Sequence, residues 1–157
     1  MLFPDLDEDA LFISRSDEVE ILGTHSLYAF DLEGESWPSV EHYYQAMKFQ
    51  QSSPAQYAKI REAKTAKQAR RLGRTRFSSI RKDWAELKRV VMTRAVYTKC
   101  RSHELVAQVL LDSGDRKILE NSQYDYFWGC GRDRRAENTY GKVLMDVRAK
   151  LREEMPA

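Results

Sequence analysis

From Pro38 the pattern of the 157-residue chain changes to that of an α-helix, with apolar residues recurring at helical spacing in several segments, and this pattern restricts the fold more than any other feature. Val40, Tyr43, Tyr44 and Met47 stand at i, i+3, i+4 and i+7, just after Ser39, a residue type that caps helix N-termini. A second helix is expected to start after Ser53-Pro54 and run towards Ala63. Thr65 is the expected cap of a third, Ala66 to Leu72, closed by Gly73 in the C′ position. Between Asp83 and Leu111, Trp84, Leu87, Val91 and Ala95 share one helical face, and Leu105, Val106, Val109 and Leu110 share another. Two helices broken near Lys99 to Ser102 fit this pattern better than one long rod. Tyr140, Val143, Leu144, Val147 and Leu151 predict a terminal amphipathic helix.

Short apolar segments complete the pattern. Leu11-Phe12-Ile13, Val19 to Leu22 and Leu27 to Leu32 read as short strands or extended segments, and Lys117 to Glu120 reads as a strand or a helical turn after the Asp112–Asp115 turn. The predicted class is therefore mainly α with minor short strands. One compact domain is expected over residues 11–154, behind a flexible acidic arm at 1–10. A doubly wound α/β fold is excluded, because buried strands do not alternate with helices.

Composition narrows the function. Hydrophobic residues make up 42% of the chain and aromatics 11%, enough for a real core. Twenty-six Lys and Arg against 24 Asp and Glu leave a net charge of +2, too balanced for a generic basic nucleic-acid binder. No run approaches the roughly 20 apolar residues of a membrane-spanning helix. The N-terminal Met1-Leu2-Phe3-Pro4-Asp5-Leu6-Asp7-Glu8-Asp9 is acidic where a signal peptide is basic, so a cytoplasmic location is expected. Cys100 and Cys130 are then expected to be reduced thiols, and His25, His42 and His103 share no ligand spacing, so neither a metal nor a cofactor is expected.

Three constellations carry chemistry. On the first helix Glu41, Gln45 and Lys48 lie within about 60° of one another, a polar stripe beside the core face. They suit a pocket edge, although an acid in a first turn also complements the helix dipole and a lysine also snorkels. The stretch Asn121 to Gly141 is a loop of about 18 residues before its helix, with Tyr124, Tyr126, Phe127 and Trp128 beside Asp125, followed by Arg132, Arg134 and Arg135. Such a loop stacks a base on Trp128 or Tyr126 and holds phosphate with arginine, or packs its aromatics beneath the domain. Its Gly129-Cys130-Gly131 is no dinucleotide fingerprint, for it follows no clear strand and lacks the third glycine. The basic stretch Arg70-Arg71, Arg74, Arg76 and Arg81-Lys82 is a solvated face, a phosphate pocket or a nucleic-acid surface, with Lys88 one helical turn after Trp84.

Taken together, these stretches resemble the NADAR family. The residues that carry the resemblance are Trp37-Pro38-Ser39-Val40-Glu41-His42-Tyr43-Tyr44-Gln45 with Lys48-Phe49, Ala69 with Gly73-Arg74, and Trp84 with Lys88, Val91-Met92 and Ala95. They continue through Leu110-Leu111, Glu120, Asp125, Trp128-Gly129, Gly131, Asn138 and Gly141 to Leu144-Met145 and Arg148. The resemblance implies a mainly helical enzyme that cleaves an N-glycosidic bond between a base and a ribose. The implied substrates are phosphoribosylated pyrimidine intermediates of riboflavin synthesis or, in other members, ADP-ribose on guanine in nucleic acid. A non-catalytic binder of ADP-ribose is the competing class.

Glu41 or Asp125 is then the expected catalytic carboxylate, and Lys48 or Lys88 the amine of an alternative Schiff-base route. Trp84 and Trp128 are expected to stack the base, Gly129 and Asn138 to complete the binding site, and Arg74 and Arg132 to hold phosphate. The pattern departs from the family at Gly23 to Leu32, which lacks the Phe-Ser-Asn-Phe-like element that builds the ribose and phosphate side of the pocket.

Overall fold

Ser39 starts the first helix as its residue type predicts: its hydroxyl accepts the amide of His42, and α1 runs Val40–Met47 with every residue buried. The structure is a computed structural model that describes residues 9–155. Most of the expected acidic arm lies outside the described residues. Its last residue, Ala10, is buried against Leu119 and Cys130.

Three short strands precede α1: β1 (Leu11–Ile13), β2 (Phe30–Leu32) and β3 (Glu35–Trp37). They are followed by α1, α2 (Pro54–Arg61), α3 (Ala66–Gly73), α4 (Trp84–Ser102), α5 (Glu104–Asp112), β4 (Ile118–Glu120) and α6 (Thr139–Glu154). β2 and β3 form an antiparallel hairpin, with Phe30 opposite Trp37. β1 pairs with β4 in parallel, with Ile13 opposite Glu120, and so ties the first strand to the segment that leads into the aromatic loop. Helix α1 is central, packed on α2, α3 and α4, while α4 also holds α5 and α6. Trp37, Tyr43, Phe49 and Tyr140 fill the core between them.

The fold is mainly α with minor strands, and the differences from expectation are local. Val19 to Leu22 form turns rather than a strand, because among the described residues no strand lies alongside them: Val19 is 86% exposed and only Leu22 is buried. The break between α4 and α5 falls at His103, and Leu105 points to solvent at 61% exposure while Val106 and Leu110 fill the core. Gly73 is not a left-handed cap. It ends α3 in helical geometry, and a Cβ there would stand 2.0 Å from Oε1 and 2.8 Å from Cβ of Gln45, so close packing of α3 on α1 requires glycine.

Candidate active site

The first turn of α1 carries Glu41 into the interior, where both carboxylate oxygens are engaged. Oε1 accepts Nε2 of Gln45 at 2.7 Å, one turn along the helix, and Oε2 accepts the Thr24 hydroxyl at 2.7 Å. The Glu41 amide donates to the Thr24 carbonyl at 2.9 Å, so the 23–26 segment is clamped to the start of α1 by main chain and side chain together. His25 adds Nδ1 at 3.0 Å from the Thr24 hydroxyl and 3.8 Å from Glu41 Oε2. The segment that lacks the family's aromatic element thus still forms a wall, with Thr24, His25 and Ser26 all buried.

Two charged anchors hold that wall. Lys99, buried on α4, donates to the carbonyls of Ile21 and Gly23 at 2.7 and 2.9 Å and to the Ser26 hydroxyl at 3.0 Å. Burial lowers its pKa to about 8. Arg15 accepts the Thr24 amide on its carbonyl at 2.8 Å, while its guanidinium binds Glu120 at 3.0 Å and Asp125 at 2.7 Å. Burial disfavours the Arg15 charge, but the two carboxylates outweigh it and raise the pKa.

Asp125 is held by this network. Its Oδ1 accepts the amides of Phe127 and Trp128 at 3.0 and 2.8 Å, and its Oδ2 takes Arg15. Burial pushes the carboxyl up, yet Arg15 and the two amides together hold it below the usual carboxylate range. Asn138 is likewise a brace. Its side chain accepts the Glu120 amide at 2.8 Å and donates to the Ile118 carbonyl at 2.9 Å, fastening β4 to the start of α6. Gly129 contributes close backbone approach, since a Cβ there would lie 2.7 Å from the Ser122 carbonyl oxygen.

A cationic cavity of about 720 Å³ opens beside His25, lined by Ser16, Glu18, His25, Lys67, Arg70, Arg71 and Arg74. Arg70 donates to Ser16 at 2.7 Å. Its pKa is lowered by burial and by Arg74 and Arg15, against the pull of Glu41 and Asp125. Lys48 belongs to the same electrostatic group: it is buried, donates to the Gly73 carbonyl at 3.3 Å, and has a pKa lowered to about 8. Burial is the main cause; Arg74, Arg70 and Lys88 reinforce it, while Glu41 opposes it.

Aromatic rings form the other side. Trp84 packs on Tyr44 at 5.1 Å between centroids, Tyr44 on Trp128 at 5.6 Å, and Trp128 on Phe127 at 4.7 Å. Lys88 Nζ lies 3.8 Å from the Phe127 ring centroid. Trp128 is buried in this row, Trp84 is half-buried at its end, and Tyr126 is exposed.

The structure therefore gathers Glu41, Lys48, Arg74, Trp84, Lys88, Asp125 and Trp128 into one region. Arg132 lines a separate cavity of about 330 Å³ with Phe12, Asn121, Gln123 and Arg134. Arg70 and Arg71 belong to the basic stretch read from the sequence, whereas sequence reasoning does not single out Arg15, Thr24, Lys67 and Lys99 and considers His25 only as a metal ligand. The spacing of Lys67, Arg70, Arg71 and Arg74 at i, i+3, i+4 and i+7 is a readable signal of one cationic helical face. Arg15 and Thr24 have no local signal, because their partners are distant in sequence.

Among the described residues no three His, Cys, Asp or Glu side chains cluster to hold a metal ion. Cys100 lies in the main core, where burial pushes its thiol up to about 11, and Cys130 packs with Ala10 and Leu119. No helix of the described residues is long and apolar enough to cross a membrane.

The chain is 43% identical over 117 residues to an N-glycosidase of Nostoc punctiforme, covering 74% of this chain and 75% of that protein. It is 32% identical over 140 residues to N-glycosidase YbiA of Escherichia coli, covering 89% and 86%. The NMR structure of Escherichia coli YbiA superposes with a TM-score of 0.79 at 31% identity, over 92% of this chain and 86% of that one. A chloroplastic riboflavin biosynthesis protein PYRR of Zea mays is 36% identical over 143 residues, a match to 23% of its length. The NADAR domain model matches residues 5–152, nearly the whole sequence, and this chain belongs to that family.

Proposed function

We propose that the protein is an N-glycosidase that hydrolyses the C–N bond between a pyrimidine base and a phosphorylated ribose, with intermediates of riboflavin synthesis as its substrates. N-Glycoside cleavage is the activity of relatives matched over most of both chains. The substrate class rests on the Zea mays relative's name and on the chemistry of the site. One observation carries it: a buried, doubly hydrogen-bonded carboxylate, Glu41, with an aromatic row and a cationic cavity nearby.

Breaking a ribosyl C–N bond builds positive charge on the sugar ring. Glu41 stabilises that charge or takes a proton from the attacking water, while its fixed hydrogen bonds avoid reorganisation during the step. Trp84, half-buried at the end of the row, offers a face to the base, and Arg70, Arg71 and Arg74 take the phosphate. Asp125 acts through the loop, since its carboxylate is spent on Arg15 and two amides.

A second route is favoured by the Lys48 pKa of about 8, which leaves a useful fraction of free amine near neutral pH. That amine condenses with C1′ of the ring-opened sugar, displaces the base as an amine, and leaves a Schiff base that water hydrolyses. Borohydride trapping separates the routes: a reduced adduct on Lys48 supports the second, and none in turning-over enzyme removes it.

The test of function is free base released from a panel of ribosylated substrates. Release from a phosphoribosylated pyrimidine, lost by about 100-fold or more in Glu41→Gln, is the expected result. Release only from DNA carrying ADP-ribosylated guanine would replace the substrate assignment. Heat of ADP-ribose binding with no base release from any substrate would identify a binding module instead.

A further inference from the structure

We propose that Thr24 and His25 form a proton relay that connects the buried carboxylate of Glu41 to the cationic cavity. This inference rests on Glu41 being the base that takes a proton from water.

The Thr24 hydroxyl has one hydrogen and three neighbours within reach: Glu41 Oε2 at 2.7 Å, His25 Nδ1 at 3.0 Å and the Arg15 carbonyl at 3.2 Å. The shortest contact is to Glu41. When the hydroxyl donates to the carboxylate, its contact with His25 is satisfied by a proton on Nδ1, which donates to the hydroxyl oxygen. When Glu41 is protonated the direction reverses: the carboxyl donates to the hydroxyl, and the hydroxyl donates to a bare Nδ1. The two arrangements differ only in where one proton sits.

Such a path has a use because both side chains are buried, Glu41 at 5% and His25 at 4% exposure, yet His25 lines the cavity and Glu41 does not. Water attacks C1′, forming the new C–O bond and giving one proton to Glu41 while its other hydrogen stays on the anomeric hydroxyl. The electron pair of the C–N bond goes to the base nitrogen, which is protonated from water in the cavity. The proton on Glu41 passes to Thr24 as the Thr24 proton passes to Nδ1, and His25 then releases a proton from Nε2 into the cavity. One water is consumed, and exchange with cavity water returns His25 from the Nδ1–H to the Nε2–H tautomer, which restores the enzyme for the next turnover.

The surroundings of His25 favour this use. Burial lowers its pKa, Glu41 on α1 opposes, Arg70 on α3 and Arg15 lower it further, and Glu18 opposes; Lys67 on α3 completes the cavity wall beside it. The imidazole is therefore held mainly neutral near pH 7, able to accept a proton and pass it on.

The experiment is the pH dependence of base release from a phosphoribosylated pyrimidine by wild type, Thr24→Ser, Thr24→Val, His25→Ala and Glu41→Gln, with the fold of each checked by NMR. Thr24→Val and His25→Ala are expected to slow multiple turnover by at least about ten-fold and to move the acidic limb of the profile. Thr24→Ser, which keeps the hydroxyl, should recover most of the rate, and added imidazole should restore His25→Ala. A folded Thr24→Val with wild-type rate and profile, while Glu41→Gln is inactive, would overturn the relay and leave the base assignment standing. Equal losses in Thr24→Ser and Thr24→Val, or no imidazole rescue, would also overturn it. An active Glu41→Gln would instead overturn the base assignment.

Discussion

Arg15 donates from one guanidinium to two carboxylates, and its bond to Asp125, 110 residues away in sequence, is 2.7 Å long. It joins the loop between β1 and β2 to the aromatic loop before α6, so both walls of the site share one ion-pair network.

Replacing Asp125 by Asn should therefore act on pH-dependent stability as well as activity. The folded carboxyl titrates below its unfolded value, so its contribution is present above about pH 4 and is lost as pH falls through the folded pKa. Urea melts of Asp125→Asn should show lower stability at pH 7 and a shallower acid decline than wild type. Equal slopes for the two proteins would exclude Asp125 as a contributor.

Lys99 gives the opposite end of the pH scale. Its folded pKa of about 8 lies below its unfolded value, so the unfolded chain binds more protons and stability rises as pH climbs from about 8 towards 10; Lys48 adds the same slope. Lys99→Met should flatten that rise. It should also cost about 1–3 kcal/mol at pH 7 by leaving the Ile21 and Gly23 carbonyls without their donor, and lower activity by loosening Thr24.

Gly73→Ala tests the packing of α3 on α1. The added methyl meets the whole Gln45 side chain rather than its tip alone, so Gln45 must leave its bond to Glu41 or α3 must shift. A loss of roughly 1–3 kcal/mol and at least about ten-fold in base release is expected. Thermal melts combined with single-turnover rates measure both.

The two arginines named from the sequence should part company. Arg74→Ala should raise KM for a phosphorylated substrate by about ten-fold or more, with little effect on an unphosphorylated ribosyl analogue, because a charge-assisted hydrogen bond is worth about 1.5–3 kcal/mol. Arg132→Ala, in its separate cavity, should leave KM within about two-fold. Comparable losses in both variants would place the phosphate elsewhere.

Much of the fold was legible because helix formation is local. Ser39, Thr65 and the apolar spacing of α1, α4 and α6 act over three to seven residues, and those elements stand where the spacing predicts. Glu41, Lys48 and Trp84 could be named from their motifs for the same reason. What only the tertiary structure decided is which charges meet. The parallel pairing of β1 with β4 brings Arg15 to Glu120 and Asp125, and the turn at 23–26 delivers Thr24 and His25 to Glu41. These contacts depend on loop geometry and on burial rather than on period. Sequence alone named Asp125 as a catalytic carboxylate, Asn138 as a binding residue and Arg132 as a phosphate ligand, whereas burial and partner geometry place them in an ion-pair network, a structural brace and a different cavity.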